Sequence, residues 1–180
     1  MDLAVGQLLA RLQRSESSFN GGLYCLYAEA ERQISAPSHI FLQAGVGGLA
    51  GAAAAMARKI WGEAPVIVVV EPCHAPALHS CIQAGDFITA TGPGSAMGRL
   101  DCLEASLIAL KGLAKDADVF ALISEEEGQA GANYAAAHQM ESTPSGAAGL
   151  AGLLASPAHR AALKIDANSH LLVILSEGPE

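Results

Sequence analysis

The sequence is short of several things at once. Only 4% of its 180 residues are aromatic and 16% charged, and ten basic side chains face eighteen acidic ones for a formal net charge of −8. The basic residues are scattered, with no stripe that could neutralise a row of phosphates, so nucleic-acid binding is set aside. No apolar run reaches the roughly 20 residues of a membrane span; the longest, Ala44–Ala57, is broken by glycines. Met1-Asp2 lacks the basic opening of a secretory signal and Leu8–Leu12 is interrupted by Arg11, so a cytoplasmic location and no membrane partner are expected. The four cysteines (Cys25, Cys73, Cys81, Cys102) form no CxxC pair. Cys73 and Cys81 lie near His74 and His79, but the spacing fits no zinc pattern, so free thiols and no metal are expected. No Gly-Lys-Ser/Thr follows any glycine turn, which excludes a Walker phosphate loop.

What is present is apolar surface: half the residues are hydrophobic, and mean hydropathy is +0.32. Alanine and glycine supply much of it, as tightly packed α/β layers require; a surface awaiting a partner would read the same way. The informative stretch is His39–Pro72. Ile40–Gln43 is a short apolar run, Gly45-Val46-Gly47-Gly48 a glycine turn, Leu49–Trp61 an alanine-rich helix, and Val66–Val70 a β-branched strand closed by Glu71-Pro72. This is a βαβ unit with buried parallel strands. Its glycine turn lies where strand passes into helix. There unpaired amides and the positive end of the helix dipole can hold an anion, usually a phosphate.

The rest alternates in the same manner. Helical spacing predicts helices over 1–17 and Leu23–Ile34 before the first strand. After it come a helix over Ala77–Gln83 with Gly85 as its C-cap, a strand candidate at Phe87–Thr91 and a helix over Leu100–Leu113. A strand at Val119–Ile123 leads into Glu125–Glu127 at a helix start, and a helix follows through Tyr134–Met140. A turn at Ser142–Gly146 opens a helix over Ala147–Leu154, another runs from Pro157 to about Ile165, and Leu171–Leu175 is the last strand. The expected class is α/β, a three-layer sandwich around a mostly parallel sheet, in one domain spanning 1–180.

Two readings of the turn stand after the Walker loop is excluded. Gly45-Val46-Gly47-Gly48-Leu49-Ala50 fits the dinucleotide pattern GxGxxA, with Glu71 as the acid for a ribose hydroxyl, although Glu71 lies further on than the usual 20 or so residues. This would make the chain a nicotinamide-dependent oxidoreductase. The second reading comes from five segments in order: FLQAGVGGLAG, VVVEP, SAMGRLDCLEAS, SGAAGLAGLLA and VILSEG. Together, from about Phe19 to Gly178, they resemble the C-terminal half of diaminopropionate ammonia-lyase, a fold type II pyridoxal-phosphate enzyme.

The resemblance implies a pyridoxal phosphate cofactor and conversion of 2,3-diaminopropionate to pyruvate and ammonia. It implies that the backbone of Gly45, Val46, Gly47, Gly48 and Leu49 holds the cofactor phosphate, that Ser176 bonds the pyridine nitrogen, and that Ser145 and Gly146 lie nearby. It also implies a lysine forming an imine with the cofactor, in a Ser-x-Lys-x-Arg segment upstream. Lys59, Lys111, Lys115 and Lys164 have no such context, so no catalytic residue is assigned here. A partial cofactor-binding domain is expected, from a truncated or split chain that is inactive alone and pairs with a complementary N-terminal half or as a homo-oligomer around an amino-acid substrate. Leu103 and Pro144 depart from the family's glycine and glutamate, which keeps a non-catalytic binding protein of the same fold in view. His39, His74, His79 and His138 have no partner at triad spacing; Asp101 and Glu104 are placed on one helix face.

Overall fold

Buried β-branched runs with helices between them assemble as one parallel sheet. The computed structural model describes residues 36–155 and 161–178. Strands β1 (His39–Gln43), β2 (Val66–Pro72), β3 (Val119–Ile123) and β4 (Leu171–Val173) are parallel in the order β3-β2-β1-β4. Helices α1 (Gly48–Trp61), α2 (Ala77–Ala84) and α3 (Leu107–Asp116) cover one face. Helices α4 (Glu125–Ala137) and α5 (Ala148–Leu154) cover the other. This is the expected three-layer sandwich.

The alternation along β1 sorts the core. Ile40 and Leu42 join Ala50, Ala53, Ala54 and Ala57 of α1 in one cluster; Phe41 joins Ala147, Ala148 and Ala151 in the other. Alanine and glycine faces let the helices lie close. A methyl added at Gly152 would sit 2.7 Å from Cγ2 of Val70, so α5 rests on β2 with no spare volume. At the amino ends of the strands Arg58 acts as a clamp, donating to the carbonyls of Asp116, Gly62 and Pro65 and to the Asp118 carboxylate.

Glu71 ends up with no exposed surface. Helix α2 begins after Pro76, which offers no side-chain cap, and the Glu71 carboxylate fills that role from the end of β2. Its two oxygens accept from the amides of Leu78 (2.8 Å) and His79 (2.7 Å). Burial raises its pKa to about 7 against the opposing pull of those two amides.

Several boundaries differ from expectation. Phe87–Thr91 is irregular: Ala90 donates to the Leu103 carbonyl, and no neighbouring strand presents a ladder there among the described residues. The helix expected over Leu100–Leu113 begins only at Leu107, because the Ser106 side chain caps it and the Ser106 amide is drawn to the Val46 carbonyl. Asp101 and Glu104 therefore share no helix face. The helix expected to run through Met140 stops at Ala137, and Gln139 takes a left-handed conformation at φ 61°. It starts earlier than Tyr134, at Glu125, with Ser124 and Glu127 forming a capping box. The last strand ends at Val173 rather than Leu175, and past Ala162 the segment ending at Ile165 is a turn, not a helix. The helices expected over 1–17 and Leu23–Ile34, and the start of the one at Pro157, lie outside the described residues. Among the described residues no helix is long and apolar enough to cross a membrane.

Two outcomes are expected from this packing. Gly→Ala inside a helix normally gains about 1 kcal/mol. At Gly152 the clash with Val70 wins, and Gly152→Ala should lower unfolding free energy in urea by ~1–3 kcal/mol; a gain would contradict the packing. The folded pKa of Glu71 exceeds its unfolded value of 4.5, so its contribution is fully present below pH 4.5 and is lost as pH rises through about 7. The swing is about 3 kcal/mol. Glu71→Gln should remove that slope from a pH series of unfolding midpoints, and an unchanged slope would show the group is not buried as described.

Candidate functional site

In a parallel sheet every strand delivers its carboxyl end to the same edge. Ligands of such sheets settle beyond that carboxyl edge. Strands β1 and β4 are neighbours there. Strand β1 leads into α1 on one face, while α5, which precedes β4, covers the other. The glycine turn follows β1, and Ser176 follows β4 with only Ile174 and Leu175 between. Two segments far apart in sequence thus flank one crevice.

The turn side of the crevice is built of backbone. Gly47 is the N-cap of α1 at φ 95°, ψ 0°, a conformation that favours glycine. The first helical bond is from the Gly51 amide to the Gly47 carbonyl, which leaves the amides of Gly48, Leu49 and Ala50 without helical acceptors. No side chain caps this start, and no acid stands in its first turn. Helices α2, α3 and α4 differ: α2 is closed by Glu71, α3 by Ser106 and α4 by Ser124 with Glu127. Helix α5 also lacks a side-chain cap, but its first residues Ala148, Gly149 and Leu150 are buried in the core. A side chain built at Gly48 would meet nothing within 4 Å and Gly48 is exposed, so the first residue of α1 borders open space. The amide of Val46 points elsewhere, to the Cys102 sulfur, whose thiol is pushed above its ordinary pKa mainly by burial. A phosphate fits Gly48 and Leu49 on these observations; Gly45 and Val46 shape the turn against the Arg99–Cys102 segment.

The other side is built of side chains. Gln43, the last residue of β1, is 2% exposed and reaches across to β4. Its Nε2 donates to the Gly146 carbonyl at 3.1 Å and to Ser176 Oγ at 2.8 Å. The Ser176 amide donates to the same Gly146 carbonyl at 3.3 Å. Ser145 Oγ accepts from the Arg99 amide, and Thr143 Oγ1 accepts from the Gly146 amide while donating to Glu177. Gly146 and Ser176 are therefore held together through Gln43, with Ser145 next to Gly146 in the chain. Gln43 was not among the predicted site residues. Its only signal was a polar side chain closing an otherwise apolar strand.

The remaining candidates are occupied otherwise. Both Glu71 oxygens are bound to α2, so the acid required by the dinucleotide reading is already engaged and cannot serve a ribose. Strand order does not separate the two readings, since the inner strands of the dinucleotide fold run in the same order. His39 bonds Ser38 Oγ and the Leu163 carbonyl, and His138 stacks on Tyr134 at 4.3 Å. His74 Nδ1 lies 3.4 Å from Glu125, which also accepts from Ser95 Oγ and the Ala96 amide. Among the described residues no three His, Cys, Asp or Glu side chains form a metal cluster. Lys59 lies eleven residues beyond Gly48, roughly 16 Å along the axis of α1. Lys111 and Lys115 lie in α3, and Lys164 lies in the turn after residue 162.

Comparison with known proteins gives the fold and the family. No curated protein matches the chain by sequence. Among solved structures, a threonine deaminase of T.th. is 22% identical with a TM-score of 0.72, over 89% of this chain and 57% of that one. Maize serine racemase is 21% identical with a TM-score of 0.77, over 89% and 49%. Diaminopropionate ammonia-lyase of Escherichia coli is 25% identical with a TM-score of 0.73, over 88% and 44%. The chain spans about half the length of these structures. Residues 15–177 match the family described as pyridoxal-phosphate-dependent enzyme. A sheet with the layers of the fold type II domain and a family match over nearly its whole length place this chain in the pyridoxal-phosphate-dependent enzyme family.

Proposed function

We propose that this chain carries the phosphate seat and the ring-nitrogen partner of a pyridoxal phosphate site serving ammonia elimination from an amino acid of the 2,3-diaminopropionate class. The observation that carries the reading is the start of α1, a helix end with no side-chain cap whose first residue, Gly48, is exposed at the carboxyl edge of the sheet. Bound there, pyridoxal phosphate supplies an electron sink that acidifies the substrate α-carbon. This chain's residues do the holding. The amides of Gly48 and Leu49 and the dipole of α1 hold the phosphate dianion, with Gly45, Val46 and Gly47 shaping the turn. Ser176 presents a neutral hydroxyl to the ring nitrogen, and Ser145 and Gly146 fix the wall beside it. The amine that captures the cofactor is not among Lys59, Lys111, Lys115 and Lys164, so it comes from a complementary segment, and this chain alone turns nothing over. Both the substrate and that partner rest on the sequence resemblance.

Phosphorus NMR of pyridoxal phosphate titrated into the chain should show a saturable shift, and borohydride should leave none of the four lysines selectively modified. Gly48→Asp puts a carboxylate where the phosphate would sit. Acids suit that end of a helix and the side chain has room, so folding should be retained or improved while the shift disappears. Binding by Gly48→Asp as strong as by the unaltered chain would refute the seat. A lack of binding by the unaltered chain would favour a non-catalytic protein that retained only the fold.

A further inference from the structure

Gln43 has an unusual set of hydrogen bonds. It is buried, and its Nε2 uses both protons, one on the Gly146 carbonyl and one on Ser176 Oγ. Its Oε1 is buried with no partner among the described residues. Turning the amide over would not help. The Gly146 carbonyl can only accept, so the nitrogen must face it, and the same nitrogen then meets Ser176. An unpartnered buried acceptor is destabilising, because it gives up its bond to water and gains none in return. Gly149 accommodates it: a side chain there would come within 3.0 Å of Oε1. An apolar residue of similar size would avoid that cost, so core packing gives no reason for a glutamine here.

The consequence falls on Ser176. Its oxygen already accepts from Gln43, so its own proton cannot point back along that contact and is left for an acceptor on the other side. We propose that Gln43 is a positioning residue that fixes the Ser176 hydroxyl as a donor toward an unprotonated ring nitrogen. The proposal rests on the reading of Ser176 given above and adds the residue that sets the direction of its hydrogen bond. Acting through Ser176, Gln43 would hold the ring in its less electron-withdrawing state without touching it.

The test has an arm without cofactor and an arm with it. In the isotope-labelled chain alone, the Gln43 side-chain amide should exchange slowly with solvent, and Ser176→Ala should speed one of its two protons. With ring-nitrogen-labelled pyridoxal phosphate, the unaltered chain should show the nitrogen resonance of a hydrogen-bonded, unprotonated pyridine. Gln43→Met should stay folded, keep the phosphorus shift with affinity lowered about threefold to tenfold, as for one lost hydrogen bond, and move the nitrogen resonance. Gln43→Glu should move it toward the protonated form, because the new side chain accepts the serine proton and frees the oxygen to receive one. If the nitrogen resonance is the same in all three chains, or Ser176→Ala leaves the Gln43 amide unchanged, the inference is overturned. If the phosphorus signal does not respond even to the unaltered chain, the cofactor reading falls and takes this inference with it, whereas the Gln43 amide signature would persist.

Discussion

Every part of the candidate site depends on β1 being held between β2 and β4. Strand β1 is buried along its whole length and paired on both edges, so the residues that follow it are delivered to the carboxyl edge of the sheet between β2 and β4. The glycine turn and Ser176 come from opposite ends of the described chain, and this pairing makes them neighbours. The same strand carries Gln43, which ties the two sides at side-chain level. Loss of the β1–β4 pairing would leave an anion seat with no ring partner beside it.

The site divides its electrostatic work between backbone and neutral side chains. The anion seat uses amides and a helix dipole rather than lysine or arginine, in keeping with a chain that has few cations. The ring partner is a hydroxyl held by an amide. The buried carboxylate of the region, Glu71, is turned away to close α2. A dianion can therefore reach the first turn of α1 without meeting an acid there. The starts of α2, α3 and α4 are closed by the Glu71 carboxylate, serine, or serine and glutamate, and the start of α5 is buried, so among these helices of the described residues α1 is the one with open amides.

Much of this was legible in the sequence, and the failures have physical causes. The turn could be read because glycines between a β-branched strand and an alanine helix admit few other geometries. Glu125–Glu127 announced a helix start because acids suit the positive end of the helix dipole, an effect that is local. Phe87–Thr91 misled because apolar residues suffice for a strand pattern, while a strand also needs an edge to pair with. Leucine spacing continued across Leu100–Ser106 although Val46, distant in sequence, draws the Ser106 amide out of a helix. Gln43 and Glu71 were opaque for the same reason. Each is defined by a partner that the fold supplies: for Gln43, residues more than a hundred positions away.

The most direct measurement is a residue-resolved amide NMR titration of the chain with pyridoxal phosphate. The account predicts the largest shifts at the amides of Gly48 and Leu49, accompanied by Ser176 and the Gln43 side chain, with the α2 amides held by Glu71 unmoved. Shifts centred on Leu78 and His79, or none at Gly48, would contradict it.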